Sequence, residues 1–262
     1  MNHRTIRPLD PDAIRLHRRG SGPPLVMLHC LGMSHHLWDC LGALADRFEL
    51  VSYDLPGHGE TPVPDAPYGI EELSHQLAAV LKRHGIGRKH VIGISLGGLI
   101  AQHFAAAEPA MVNRLVLCDT TPRYTEDARA NWAVRAAAAR QNGAVSLLPV
   151  IEKIWFTAGF LALDPVPPAL RLVRETFTAC PGEGYALACE ALGSADLLDL
   201  AEEIHARTLV LYGSEESLAF RDAADWLAQN IAGAKLSPVP NAGHASVLEQ
   251  PRWMEAVLRD FL

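Results

Sequence analysis

Apolar residues fall along this chain in two rhythms. Short unbroken runs, of the kind that form strands buried on both faces, alternate with stretches where apolar positions recur at helical spacing. The runs lie at residues 25–28, 48–53, 91–94, 115–118, 208–212 and 235–239, with a weaker early one at 13–17. Helical spacing links Trp38, Leu41, Leu44 and Ala45, then Ile70, Leu73, Leu77, Val80 and Leu81. It returns after residue 95, over 220–231, and from Pro251 to the end. Glu71 and Glu72 sit in the first turn of the second of these helices, where negative charge is favourable. Strand alternating with helix predicts a mostly parallel central sheet, right-handed crossovers and helices on both faces. After Thr121 the rhythm changes. From Pro122 to about Glu203 only helical spacing is found, broken at Pro165-Val166-Pro167-Pro168 and at Pro181-Gly182. The expected organisation is an α/β core from residues 1–121 and 204–262, with a helical cap inserted at 122–203.

Composition narrows the class. A chain of 262 residues suits one α/β domain with an insertion, and 49% hydrophobic content argues against disorder. The net charge of −7 and the lack of a basic tract speak against a nucleic-acid partner. No segment has the apolar length of a membrane helix, and Met1-Asn2-His3-Arg4-Thr5 leads into no signal-like run. The five cysteines, Cys30, Cys40, Cys118, Cys180 and Cys189, lack paired close spacing and read as reduced thiols. The expectation is a soluble cytoplasmic protein acting on a small molecule. No sequence feature speaks to an oligomeric state.

One stretch carries chemistry. The run at 91–94 enters Gly93-x-Ser95-x-Gly97, and a small-residue helix follows. Strand, sharp turn and helix would hold Ser95 in a strained conformation with its hydroxyl over the strand ends and the helix N-terminus beside it. A Cβ at Gly93 or Gly97 would collide with the neighbouring backbone. His29, Asp54, Ser95 and Asp119 all fall just beyond strand ends, where sites of parallel sheets lie. A serine nucleophile needs a base, and the base needs an orienting acid. Among twelve histidines, His244 stands out because its loop, Asn241-Ala242-Gly243-His244, follows the last strand. Glu215 and Glu216 follow the 208–212 strand, so Ser95, Glu216 and His244 have the chain order this turn usually carries. Asp119 and Glu215 are the alternative acids. The N–H groups of Leu31 and Leu96 are the expected oxyanion donors. An ordinary imidazole as base predicts that activity falls below about pH 6.5. His29, His35, His36 and Asp54 lack metal-ligand spacing, and Gly57-His58-Gly59 reads as a structural turn. No dinucleotide fingerprint is present, so neither metal nor cofactor is expected.

These motifs resemble the α/β-hydrolase superfamily over essentially the whole chain, and within it the 3-oxoadipate enol-lactonases. The likeness includes Leu31-Gly32 with Trp38-Asp39, and Tyr53-Asp54 with Gly57-His58-Gly59. In the cap it includes Trp132, Arg135, Trp155-Phe156, Gly184-Tyr185-Ala186, Cys189, Ala191-Leu192 and Asp196-Leu197. At the histidine loop it includes Ala242-Gly243-His244, Ser246 and Leu248-Glu249-Gln250-Pro251. Two positions depart from the pattern: Glu216 stands where the family carries Asp, and Cys30 where it carries a smaller residue expected at the pocket floor. The resemblance implies an α/β-hydrolase fold and hydrolysis of a carboxylate-bearing enol-lactone through an acyl-enzyme on Ser95, with no cofactor. Trp132, Arg135 and Trp155 are the expected substrate-binding residues, Arg135 as the cation for the carboxylate. A carboxylesterase or C–C bond hydrolase on the same three residues, and a small-molecule-binding protein without catalysis, are the alternatives.

Overall fold

The computed structural model describes residues 9–262; the N-terminal reading of Met1 to Thr5 lies outside them. Seven strands form one sheet: β1 (His17–Arg19), β2 (Pro24–Leu28), β3 (Glu49–Ser52), β4 (Lys89–Ile94), β5 (Val112–Cys118), β6 (Arg207–Gly213) and β7 (Lys235–Val239). Their order is β1-β3-β2-β4-β5-β6-β7. Only β1 is antiparallel, against β3; every other pairing is parallel. β4 lies between β2 and β5 and is buried at every residue, which is why its sequence reads as a continuous run rather than an alternation.

Helices α1 (Ile70–Arg83) and α2 (Leu96–Ala107) connect the first half of the sheet. After β5 come α3 (Glu126–Asn142), α4 (Leu148–Trp155), α5 (Ala158–Leu161), α6 (Pro168–Ala179) and α7 (Gly182–Ser194). The chain then returns to the sheet through β6, α8 (Leu218–Asn230), β7, the short α9 (Ser246–Glu249) and α10 (Pro251–Phe261). Among the described residues, the only β-bridge in the 122–203 stretch is the isolated pair Arg123 and Asp196. α3 packs along α7 through small residues, with Ala136 and Ala139 buried against a helix rich in alanine, and Arg140 pairs with Glu183 and Glu190. Gly57, at φ +76, meets Gly184 backbone to backbone; a Cβ on either would strike the other, so the two glycines let α7 rest on the turn after β3.

Three sequence expectations shift. The early strand at 13–17 begins only at His17, because Pro11–Ala13 forms a 3-10 turn capped by the Asp10 side chain on the Asp12 N–H. The segment around Trp38 is a 3-10 helix, His35–Asp46, interrupted at Leu41. The 145–155 helix is split, with Ala144–Leu147 in a 3-10 turn and α4 starting at Leu148; Pro149 then occupies the first turn, where its missing N–H costs nothing. No helix among the described residues is long and apolar enough to cross a membrane.

Candidate active site

Strand register brings the site together. Ile94 pairs with Cys118, Cys118 with Leu211, and Gly213 with Val239. The ends of β4, β5, β6 and β7 therefore lie side by side at one edge of the sheet, with Ser95 and Asp119 as the next residues of β4 and β5, and Glu216 and His244 in the loops that follow β6 and β7.

Ser95 occupies the turn at φ 52, ψ −112, a conformation non-glycine residues rarely adopt. Neighbours hold it there. Its N–H donates to the Cys118 carbonyl at 3.0 Å, and its own carbonyl accepts from Thr120 Oγ1 at 2.8 Å and from the Leu99 N–H at 3.1 Å. A Cβ on Gly93 would strike the Gly97 carbonyl, and one on Gly97 the Leu28 carbonyl, so the tight strand–turn–helix passage needs both glycines. Leu96 opens α2, so its N–H has no acceptor within the helix. Leu31, in the loop after β2, lines the same cavity as Ser95 and His244.

His244 and Glu216 are both buried, and Glu216 Oε2 lies 2.5 Å from His244 Nδ1. The second Glu216 oxygen accepts from the Ser217 N–H at 2.7 Å. Burial disfavours the imidazolium, but the Glu216 carboxylate, with Asp119 behind it, overrides this and raises His244 above 6.5; Arg135 acts weakly in the opposite sense. The acid limb expected at about pH 6.5 accordingly moves up. Of the two alternative acids, Glu215 has an exposed side chain. Asp119 is fully buried at φ 45 and faces other partners: Oδ2 accepts from Ser246 Oγ at 2.5 Å and Oδ1 from the Gly213 N–H at 2.9 Å. Burial, with Glu216 adding to it against the pull of His244, pushes Asp119 up to about 7.

The cavity measures about 570 Å³ and runs from Ser95 and His244 under the 122–203 helices. Trp132, Arg135 and Trp155 line it. Arg135 lies over the Trp132 ring at 4.8 Å, and Trp132 meets Tyr124 edge-on at 5.3 Å. Trp155 is 6.4 Å from the His244 ring. Sequence reading passed over Tyr124, Tyr185 and Phe220 as site residues. Phe220 packs edge-on against His244 at 4.6 Å. Tyr185 is fully buried, yet its hydroxyl, like the Trp132 Nε1, has no hydrogen-bond partner among the described residues. The signal for Tyr185 was a single tyrosine in an otherwise small-residue helix. Cys30 is buried outside the cavity lining, one residue before Leu31; its side chain packs into the core and does not form the pocket floor.

Of the histidines near Asp54, His35 pairs with it, its Nδ1 lying 3.0 Å from Oδ1, and the others have other partners. His29 accepts from the Leu55 N–H at 2.8 Å and contacts the Cys30 carbonyl, and exposed His36 pairs with Asp39. His17, His35 and Asp54 do bring ligand-type atoms within 4.8 Å of one another. The His17 and His35 rings are stacked 3.5 Å apart and 6° from parallel, so their in-plane lone pairs do not converge on one point. Gly57-His58-Gly59 is a turn in which the buried His58 meets the Pro56 carbonyl through Nδ1. All five cysteines are free.

The alpha/beta hydrolase fold family model matches residues 23–251. The chain is 30% identical to 3-oxoadipate enol-lactonase 2 of Acinetobacter baylyi, over 91% of this chain and 90% of that protein. It is 33% identical to the pimeloyl-[acyl-carrier protein] methyl ester esterase of Chromobacterium violaceum, over 93% and 95%. The crystal structure of the enol-lactonase from Burkholderia xenovorans LB400 superposes with a TM-score of 0.89 at 31% identity, covering 95% of each chain. Sheet order, the strained serine turn and these likenesses agree: the chain belongs to the α/β-hydrolase fold family, as a carboxylic ester hydrolase with esterase and lactonase relatives.

Proposed function

We propose that this protein hydrolyses a small lactone or ester bearing a free carboxylate, with 3-oxoadipate enol-lactone as the substrate, in the cytoplasmic breakdown of aromatic acids. Ser95 Oγ attacks the carbonyl carbon while the second ring nitrogen of His244 takes its proton. Glu216 keeps the imidazole oriented and offsets its charge. The Leu31 and Leu96 N–H groups receive the oxyanion. The ring C–O bond then breaks, the leaving enol oxygen takes from His244 the proton that came from Ser95, and water that gives a proton to His244 attacks the acyl carbon and releases the acid from Ser95.

The observation that carries the carboxylate is the trio Arg135, Trp132 and Tyr185. Among the described residues no carboxylate lies within ion-pair distance of Arg135, and the two neighbouring donors are buried without acceptors. Three donors lacking an acceptor in one apolar cavity supply what a carboxylate lacks once it leaves water. The cavity volume favours a second reading, an ester with a longer chain, since about 570 Å³ exceeds what a compact lactone fills. Ultraviolet loss of the enol-lactone, compared with hydrolysis of monomethyl esters of linear dicarboxylic acids, separates the two. Turnover of the lactone that vanishes in Ser95→Ala supports the first; turnover of the methyl esters alone supports the second. Turnover by Ser95→Ala would remove both.

A further inference from the structure

The loop that carries His244 is fastened to the cap on both sides of the histidine. On one side, the Ala245 N–H donates to the Trp155 carbonyl at the end of α4, at 2.9 Å. On the other, the Gly243 N–H donates to Glu249 Oε2 at 2.6 Å. The other oxygen of that carboxylate, Oε1, accepts from the Thr157 N–H at 3.0 Å and from Thr157 Oγ1 at 2.8 Å. Thr157 is the N-cap of α5, so the same hydroxyl is also the acceptor for the Phe160 N–H at 3.2 Å. The two chains approach closely: a Cβ on Gly243 would lie 2.8 Å from the Trp155 carbonyl oxygen. Trp155 itself lines the cavity, so the cap segment that meets the ligand is the one bonded to the histidine loop.

We infer that Glu249 is a positioning residue that makes the alignment of His244 depend on the seating of the cap. Its carboxylate is a three-donor clasp in which one oxygen belongs to the cap and the other to the peptide next to the base. A carboxylate is required because it only accepts: an amide in its place would turn an N–H₂ toward one set of donors and lose that side of the clasp. When the clasp opens, the cavity keeps its lining and substrate affinity is retained. What is lost is the placement of the imidazole, to which proton transfer is steeply sensitive. The inference rests on the reading of His244 as base, and the experiment separates the two.

The experiment measures kcat, KM and melting temperature on p-nitrophenyl acetate for wild type, Ser95→Ala, His244→Ala, Glu249→Gln, Thr157→Val, Thr157→Ser and Glu249→Gln/Thr157→Val. Glu249→Gln is expected to lower kcat about 100-fold with KM within about twofold of wild type, the cost of a misplaced catalytic group. Thr157→Val keeps its N–H but loses both the bond to Glu249 and the cap on the Phe160 N–H, and is expected to lose about fivefold in kcat, the worth of the one bond that belongs to the clasp, while Thr157→Ser keeps both and stays within about twofold of wild type. The double variant is expected to be no slower than Glu249→Gln, because both changes open the same clasp. If Ser95→Ala and His244→Ala lose turnover while Glu249→Gln keeps its kcat, or raises KM instead, the inference is overturned and the base reading stands. If Ser95→Ala and His244→Ala keep turnover, the base reading itself fails. Should Glu249→Gln not fold, the threonine pair decides: equal kcat for Thr157→Val and Thr157→Ser overturns the clasp.

Discussion

The sheet edge engages its buried carboxylates, while the cap turns donors without protein acceptors toward the cavity. At the sheet edge every carboxylate is engaged. Glu216 meets His244 and the Ser217 N–H, Asp119 meets Ser246 and the Gly213 N–H, and Asp54 accepts from the His35 and Glu60 N–H groups. In the cap, the Tyr185 hydroxyl and the Trp132 indole N–H are buried without a protein acceptor, and the half-buried Arg135 guanidinium beside them has the Trp132 ring as its neighbour. A finished hydrogen-bond network is rigid and suits a base that must sit still between turnovers. Donors without an acceptor inside the protein are free to meet the acceptors of a molecule that enters the cavity. The difference fits the proposed division, with chemistry at the sheet edge and recognition in the cap.

Breaking the sheet-edge side should give the largest effects. Ser95→Ala is expected to abolish turnover down to background, read by rapid mixing and by loss of fluorophosphonate labelling. Glu216→Gln is expected to lower kcat by about 10³–10⁴, as removal of an orienting acid does, with Asp119→Asn falling far less because an amide can still accept from Gly213 and donate to Ser246. A larger loss in Asp119→Asn than in Glu216→Gln would move the acid to Asp119.

Breaking the cap side should change recognition instead. Arg135→Met is expected to raise KM about 10–100-fold for carboxylate-bearing substrates, the loss of a charge-assisted contact, and to leave neutral aryl esters within about twofold. An equal loss on both substrate classes would make Arg135 structural. Tyr185→Phe is the smallest step: about a fivefold rise in KM, with a melting temperature that stays level or rises, because the hydroxyl it removes has no partner within the protein.

The pH profile sharpens the same contrast. His244 must be neutral to take the proton, and Glu216 raises its pKa, so kcat/KM should fall on the acid side with an apparent pKa above 6.5. In Glu216→Gln the larger raising charge is gone and burial is opposed only by the weaker pull of Asp119, so the limb should move to lower pH. A limb that stays put would disconnect it from this pair.

Much of this was legible in sequence because it depends on local geometry. Gly93-x-Ser95-x-Gly97 after an apolar run announces a strained turn from its neighbours alone, and the alternation of runs and helical spacing implies a parallel sheet whose strand ends share one edge. The same reasoning leads to His244 and to a carboxylate in the Glu215–Glu216 pair, since both follow strands directly. It favoured Glu216 but left Glu215 and Asp119 open as alternative acids. Which glutamate turns inward depends on how the loop after β6 closes on the Ala242 carbonyl, a contact between segments far apart in sequence. It also missed the 3-10 turn at Pro11–Ala13, where a proline and an aspartate cap outweighed a weak apolar run. The unpaired state of Tyr185, the packing of Phe220 on His244 and the clasp at Glu249 were decided by the tertiary structure alone. Sequence periodicity records which face of an element is apolar; whether a buried polar atom finds a partner depends on what another element brings within about 3 Å of it.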